Sequence, residues 1–151
     1  MKLKPSPLAT VAALAVALSL GACKRDEPVT TTAPAPTPAA ATVTAVDLGS
    51  AVDADGRVVA GTTTFATTDT ITASVMTTTG TPTGRASGTL GARWTFEDGQ
   101  VVNQESKTFE FTGPGVTNFQ ISKPDGWPVG RYRVEISLDG QVVQTRDFEV
   151  R

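Results

Sequence analysis

The chain has 151 residues, 39% hydrophobic and 19% charged, with 13 Lys and Arg against 15 Asp and Glu for a formal net charge of −2. That length fits one modest domain with appendages, and the absence of a basic excess argues against nucleic-acid binding, which draws on clustered Lys and Arg. Histidine is absent and cysteine occurs once, which removes most zinc, Cys-His and Ser-His-Asp chemistry.

Residues 1–22 have the pattern of an export signal. Lys2 and Lys4 give a positive start, and Leu8 to Leu20 is an apolar run without charge. The run is shorter than the roughly 20 apolar residues that a membrane-spanning helix needs, so it is set aside from the fold. It ends Leu20-Gly21-Ala22-Cys23, which resembles the lipobox of bacterial lipoproteins. The resemblance implies cleavage between Ala22 and Cys23 and acylation of Cys23, palmitate included, as the membrane anchor. An ordinary secretory signal with an unrelated cysteine is the alternative. A lone thiol in an oxidising compartment has no disulfide partner to account for it, and stable anchoring takes two or more acyl chains at about 0.8 kcal/mol per buried methylene. Lys24 stands where an Asp would retain a Gram-negative lipoprotein at the inner membrane, so similarity to that group implies the outer membrane, facing periplasm or surface.

From Cys23 to residue 41 the chain is rich in Pro, Thr and Ala, with the run Thr30-Thr31-Thr32-Ala33-Pro34-Ala35-Pro36-Thr37-Pro38. Such a composition buries too little apolar surface to fold and predicts a disordered tether, reaching roughly 55 Å at about 3.1 Å per residue.

Residues 42–151 carry turn signals at strand-length spacing. Thr42 to Leu48 predicts a first strand. Asp53-Ala54-Asp55-Gly56 turns into a second over Arg57 to Thr64; the Asp pair lacks the remaining ligands of a calcium loop and predicts a plain turn. Ile71, Ala73 and Val75 alternate with polar residues in a third, and Gly80 to Gly88 predicts a loop. Leu90, Ala92, Trp94 and Phe96 alternate with Gly91, Arg93 and Thr95, and Asp98-Gly99 predicts a tight turn into a strand from Val101 that carries Phe109 and Phe111 inward. Gly113-Pro114-Gly115 closes it. Phe119 and Ile121 mark one more strand before Pro124-Asp125-Gly126.

The last 26 residues form the clearest pattern. Tyr132, Val134, Ile136 and Leu138 alternate with Arg131, Arg133, Glu135 and Ser137, and Asp139-Gly140 has the residues of a type I′ turn. A two-residue loop sets Ile136 opposite Val143 but Tyr132 opposite Asp147, so keeping both strands apolar on one side requires a bulge, placed between Gln144 and Arg146. Tyr132 then faces Phe148, with Arg133 opposite Asp147 and Arg131 opposite Glu149 outside.

Seven or eight short strands predict an all-β domain, an antiparallel sandwich resembling the immunoglobulin-like and fibronectin-III-like folds. Trp94 sits on the strand where such domains hold a core Trp, and Tyr132 resembles their tyrosine corner. The inter-sheet cysteines of antibody domains are missing, Val134 standing at the second of those positions. The resemblance is one of fold and says little of function.

The expected function is a non-catalytic, lipid-anchored envelope module for protein interaction or scaffolding. Binding of carbohydrate or peptidoglycan, or inhibition of an envelope enzyme, are the alternatives. No catalytic, metal or cofactor site is expected: Glu97, Asp98, Glu105 and Glu110 offer carboxylates, but a small sandwich gives them no cleft in which to separate their pKa values. Arg93, Arg131 and Arg133 face one side as an anion patch or, with Asp147 and Glu149 opposite, a solvated ion-pair face. Trp127 is a stacking platform for a ligand or a lid over the corner beside Pro128 and Tyr132. The partner-binding end is expected to gather the Gly80–Gly88 loop and the Pro124–Val129 corner, away from the two Asp-Gly turns. Cys23→Ser should abolish fatty-acid labelling and release the chain from the membrane; label retained in that variant refutes the anchor.

Overall fold

The alternation of apolar and polar residues becomes eight strands in the computed structural model, which describes residues 40–151. The export signal, Cys23 and nearly all of the tether lie outside the described residues. The strands are β1 (Ala41–Gly49), β2 (Thr64–Phe65), β3 (Ile71–Thr79), β4 (Arg85–Phe96), β5 (Gln100–Thr112), β6 (Gly115–Ile121), β7 (Gly130–Leu138) and β8 (Gln141–Val150). They form two sheets, ordered β1-β3-β6 and β2-β8-β7-β4-β5. All pairs are antiparallel except β2, which runs parallel to β8. The domain is thus an immunoglobulin-like β-sandwich whose first strand is split, one part in each sheet.

Apolar side chains from the two inner faces meet in one core. Val46, Ile71, Val75 and Phe119 come from the smaller sheet and Leu90, Trp94, Val134 and Ile136 from the larger, all fully buried. Trp94 has the expected core position, edge-on to Phe148 with ring centroids 5.9 Å apart. Its Nε1 finds no acceptor among the described residues, so what holds it is packing. Tyr132 makes the expected corner: its hydroxyl donates to the Pro128 carbonyl at 2.8 Å, and its ring stacks on Phe148 at 5.3 Å.

The expected strand at Arg57–Thr64 is a short bridge, Val52 with Val58, followed by the two-residue β2. The reason lies in Asp53, whose Oδ1 accepts the N–H groups of Asp55 and Arg57, each at 2.9 Å. That carboxylate is spent on the turn. The segment then lies over the outer side of β3, where Ser74 Oγ donates to the Gly56 carbonyl at 2.9 Å. Ser74 and its outward neighbour Thr72 are buried, although the alternation predicts a wet face there; Thr77 and Thr79, also buried, share the inward side with Ile71, Ala73 and Val75.

Both Asp-Gly hairpins form, with differences. Asp139 (φ 51°) and Gly140 (φ 83°) make the type I′ turn. Asp139 also grips β4: its N–H donates to the Thr89 carbonyl and its Oδ1 accepts the Thr89 N–H, both at 2.8 Å. The bulge falls nearer the turn than expected. Val143 is the extra residue and Ile136 pairs with Gln144, while Tyr132 with Phe148, Arg133 with Asp147 and Arg131 with Glu149 pair as expected. At the other hairpin the loop has three residues, with positive φ at Glu97 (45°) and Gly99 (99°) rather than at Asp98. Its partner strand is bulged at Val102, between the pairs Thr95–Val101 and Trp94–Asn103. The same pentapeptide, Asp-Gly-Gln-Val-Val, spans residues 98–102 and 139–143 and bulges at its second Val both times. The strand after the Gly80 loop begins at Arg85, earlier than expected, because Ser87 and Gly88 already pair with Glu110 and Phe109.

The two ends of the sandwich hold different loops from those expected. Phe96 pairs with Tyr132, and Leu90 with Leu138, so the Glu97–Gly99 turn shares a pole with the Ser122–Val129 corner. The Asp139-Gly140 turn shares the opposite pole with the Gly80–Gly84 connection. Each strand crossing switches ends, so connections after β4 and β6 must meet at one pole and those after β3, β5 and β7 at the other.

Replacing Trp94 with Ala should cost about 3–5 kcal/mol as a large-to-small core change, and Tyr132→Phe about 1 kcal/mol for one hydrogen bond. Denaturant midpoints measure both, and an unchanged midpoint for Trp94→Ala contradicts this register.

Candidate functional site

The pole that carries Trp127 is built from three segments. Glu97, in the left-handed region, brackets the start of β7: its N–H donates to the Arg131 carbonyl at 2.8 Å and its Oε1 accepts the Arg131 N–H at 2.9 Å. Gly130 (φ 150°) allows this approach, since a Cβ there would collide with Glu97 Oε1 and lie 2.7 Å from Phe96 Cε2. The corner itself is pinned by Trp127, whose N–H donates to the Thr67 carbonyl at 2.7 Å and whose Nε1–H donates to the Asp69 carbonyl at 2.9 Å.

Trp127 is therefore no stacking platform. It is 8% exposed, edge-on to Tyr132 at 6.1 Å, and fills the lid role beside Pro128. What stands exposed next to it is a cleft of about 410 Å³. The cleft is lined by Val101 and Val102 of β5, by Ile121 and Lys123 at the end of β6, and by Trp127 and Pro128 of the corner. Val101 is 46% exposed and Val102 36%. The bulge at Val102 is what sets two successive valines here, a use to which bulges are often put beside functional sites. The missed signal was in plain view: Val101-Val102 breaks the alternation straight after a turn.

The second surface is the outer face of the larger sheet, a shallow concavity of about 760 Å³ that includes Arg93, Thr95, Arg131, Arg133, Asp147 and Glu149. Each arginine has an acid. Arg93 meets Glu135 at 3.2 Å, Arg133 meets Asp147 at 2.6 Å, Arg131 meets Glu97 at 3.8 Å and Arg151 meets Glu149 at 2.9 Å. Arg131 and Glu149 thus face each other on neighbouring strands but turn to other partners. The hydrogen bond from Arg133 to Asp147, with its charge, raises the Arg133 pKa; that from Arg151 holds Glu149 below the usual carboxylate value. This is the solvated ion-pair face, not a free anion patch.

The candidate carboxylates stay apart. Glu97 serves Arg131, Glu105 lies 3.7 Å from Lys107, and Glu110 pairs across from Ser87 toward the far pole. Among the described residues no group of three or more His, Cys, Asp or Glu is placed to hold a metal ion.

No protein-family model matches the sequence, and no curated protein matches it. Solved structures with a partly similar course include the CARDB domain of the PF1109 protein from Pyrococcus furiosus in complex with di-metal ions, at 15% identity and TM-score 0.46, covering 75% of this chain and 89% of that one. A beta-glucosidase involved in saponin metabolism from intestinal bacteria gives 16% identity and TM-score 0.48, covering 75% of this chain and 16% of the enzyme. The alkylpurine DNA glycosylase AlkC of Pseudomonas fluorescens, bound to DNA containing an abasic site analog, gives 12% identity and TM-score 0.46, covering 59% and 27%. The chain spans under a third of the length of the last two. Scores this low carry no function over to this chain.

Tyr132 lines the cleft and reports on it. Burial raises its phenol pKa, and the Glu97 charge adds to this. A raised folded pKa means that this group's contribution to stability is fully present below the unfolded value of about 10 and is lost as pH rises through the folded value. The chain has 1 Tyr, so ultraviolet absorbance titrates it alone. The midpoint should lie above that of the urea-unfolded chain; equal midpoints count against the buried corner.

Proposed function

We propose that the chain is a lipid-anchored envelope protein whose immunoglobulin-like domain is a protein-interaction module, and that its partner enters the cleft beside Trp127. The anchor rests on Cys23 in its lipobox-like setting, the tether on the Pro- and Thr-rich run behind it. One observation carries the binding reading: two valines are held open to solvent beside Trp127, on a strand that could have turned them away. Exposed apolar side chains on a rigid frame are the usual core of a protein contact, with a polar rim. Here the rim is Lys123, which pairs only loosely with Asp125 at 3.9 Å. The occupant that fits is an apolar side chain of a protein partner with an acidic neighbour to meet Lys123. A sugar would want an open aromatic ring, and Trp127 is only 8% exposed.

The test is a photo-crosslinking amino acid placed at Val102 in living cells, compared with the same group at Val142, which is 58% exposed at the opposite pole. A discrete adduct from position 102 and none from 142 is expected. The same adduct from both positions, or none from either, moves the contact elsewhere.

A further inference from the structure

The larger sheet ends on β5, and among the described residues no strand pairs with its far side. The other sheet edges are short or occupied. β2 has two residues and pairs only with Glu149 and Val150; the stretch of β8 before them is bulged at Val143 and crossed by Arg146, which reaches over to β1, so its regular unpaired run is shorter than that of β5. On the free side of β1, Val46 O accepts from Arg146 Nε at 2.9 Å and Leu48 O from the Thr62 N–H at 2.9 Å. On β6, Lys107 Nζ donates to the Asn118 carbonyl at 3.3 Å. β5 is 13 residues long, has no Pro, and departs from regularity only at Val102. Such an edge offers a row of backbone donors and acceptors to any strand that can lie against it.

What can lie against it is decided by Glu105 and Lys107. They flank Ser106, pair across β4 from Ala92 and Leu90, and so sit on the sandwich side of the sheet at its rim. Inward charges at an edge normally repel a second strand. Here their order makes the edge complementary to itself. We propose that two copies of the chain join β5 to β5, antiparallel about a two-fold axis at Ser106, to make one continuous ten-stranded sheet. In this register Ser106 faces the partner's Ser106, Glu105 faces the partner's Lys107, and Lys107 faces the partner's Glu105. Gln104 and Thr108 then meet on the outer side and Asn103 and Phe109 on the inner, and pairing stops where the Val102 bulge bends the strand.

Other registers are worse. An axis at Glu105 or at Lys107 sets like charges directly opposite, which destabilises a strand pair. An axis at Gln104 puts Glu105 against Asn103, and one at Thr108 puts Lys107 against Phe109; neither joins the charges. The same two residues therefore select a second copy of this chain over a strand of other sequence, which would need a cation and an acid at the same spacing. The cleft valines lie beyond the paired stretch, so this contact stands or falls apart from the proposed partner.

The test uses the full chain with Ser106→Cys, oxidised by glutathione disulfide. Opposed α-carbons in an antiparallel pair are about 4.5–5.5 Å apart, inside the roughly 4.4–6.8 Å that a disulfide bridges. A Thr108→Cys chain presents its thiol on the same face, but four residues from its copy, about 13 Å along the strand. Disulfide-linked dimer from Ser106→Cys, above the wild-type background from Cys23 and absent from Thr108→Cys, is expected. Equal linkage at both positions, or none at 106, overturns the proposal. Sedimentation of the uncrosslinked chains supplies the second arm. E105K should weaken dimerisation about tenfold through two like-charge contacts, and mixing it with K107E should restore a dimer, because every opposed pair is then again of opposite sign. A wild-type chain that stays monomeric at every concentration reached refutes the pairing. The cysteine comparison decides the matter if K107E fails to fold on losing its bond to Asn118.

Discussion

The hydrogen bond from the Tyr132 hydroxyl to the Pro128 carbonyl closes the Trp127 pole, and much of the domain depends on it. It turns the long β6–β7 connection back over the core. With the chain held there, Trp127 reaches Asp69 and Thr67 in the β2–β3 connection, so three loops become one layer. Inside that layer Tyr132 stacks on Phe148, and Phe148 touches Phe65 and Trp94 edge-on at 5.5 and 5.9 Å. Aromatic contacts of these geometries add to the area they bury. The cleft is therefore backed, at Trp127 and Tyr132, by this aromatic cluster. A site on such a support loses little freedom when a partner arrives.

The rest of the surface divides by what the chain does with polar residues. On β3 the outward Ser74 is covered by the segment that follows β1, its hydroxyl bonded to the Gly56 carbonyl. On the larger sheet the outer face is a mosaic of arginines and acids in which Arg93, Arg131, Arg133 and Arg151 each have an acid beside them. Pairs this exposed add little to stability; their effect is to keep a broad sheet wet and unattractive to apolar partners. The exposed valines stand out against that background, and so does the long edge of β5.

Much of this was legible from the amino-acid order, and the failures have physical causes. Period-two alternation placed Trp94, Val134 and Ile136 inside, because a strand with one wet face leaves few choices. Asp139-Gly140 announced its turn because few residue pairs accept two positive φ values. Glu97 at positive φ could not be read, since a Glu rarely adopts that region, and what holds it there is a pair of bonds to Arg131, 34 positions on. The bulges are one feature met twice. After each Asp-Gly-Gln the chain drops the second Val out of register and leaves both valines exposed; the bulge at Val102 was not expected, and the one at Val143 was expected further along, between Gln144 and Arg146. The segment at Arg57–Thr64 has a strand's composition, but its route is fixed by Asp53 and by the need to pass from one sheet's outer face to the other sheet's edge. Trp127 was legible as a corner residue only in outline, because its partner carbonyls come from a connection 58 positions away.

The split of the first strand also has a mechanical side. Ala41 begins at the pole of the Asp139 turn and Arg151 ends at the pole of Trp127, as the pairs Ala41–Thr79 and Gly130–Val150 require. A pull applied between the two ends runs along the strands. The hydrogen bonds of β1 to β3 and of β2 to β8 lie across that direction, so they are loaded side by side and must yield together, whereas a pull across the sheet would unzip them one at a time. Drawn out between these two poles, the domain takes the load in shear along its strands.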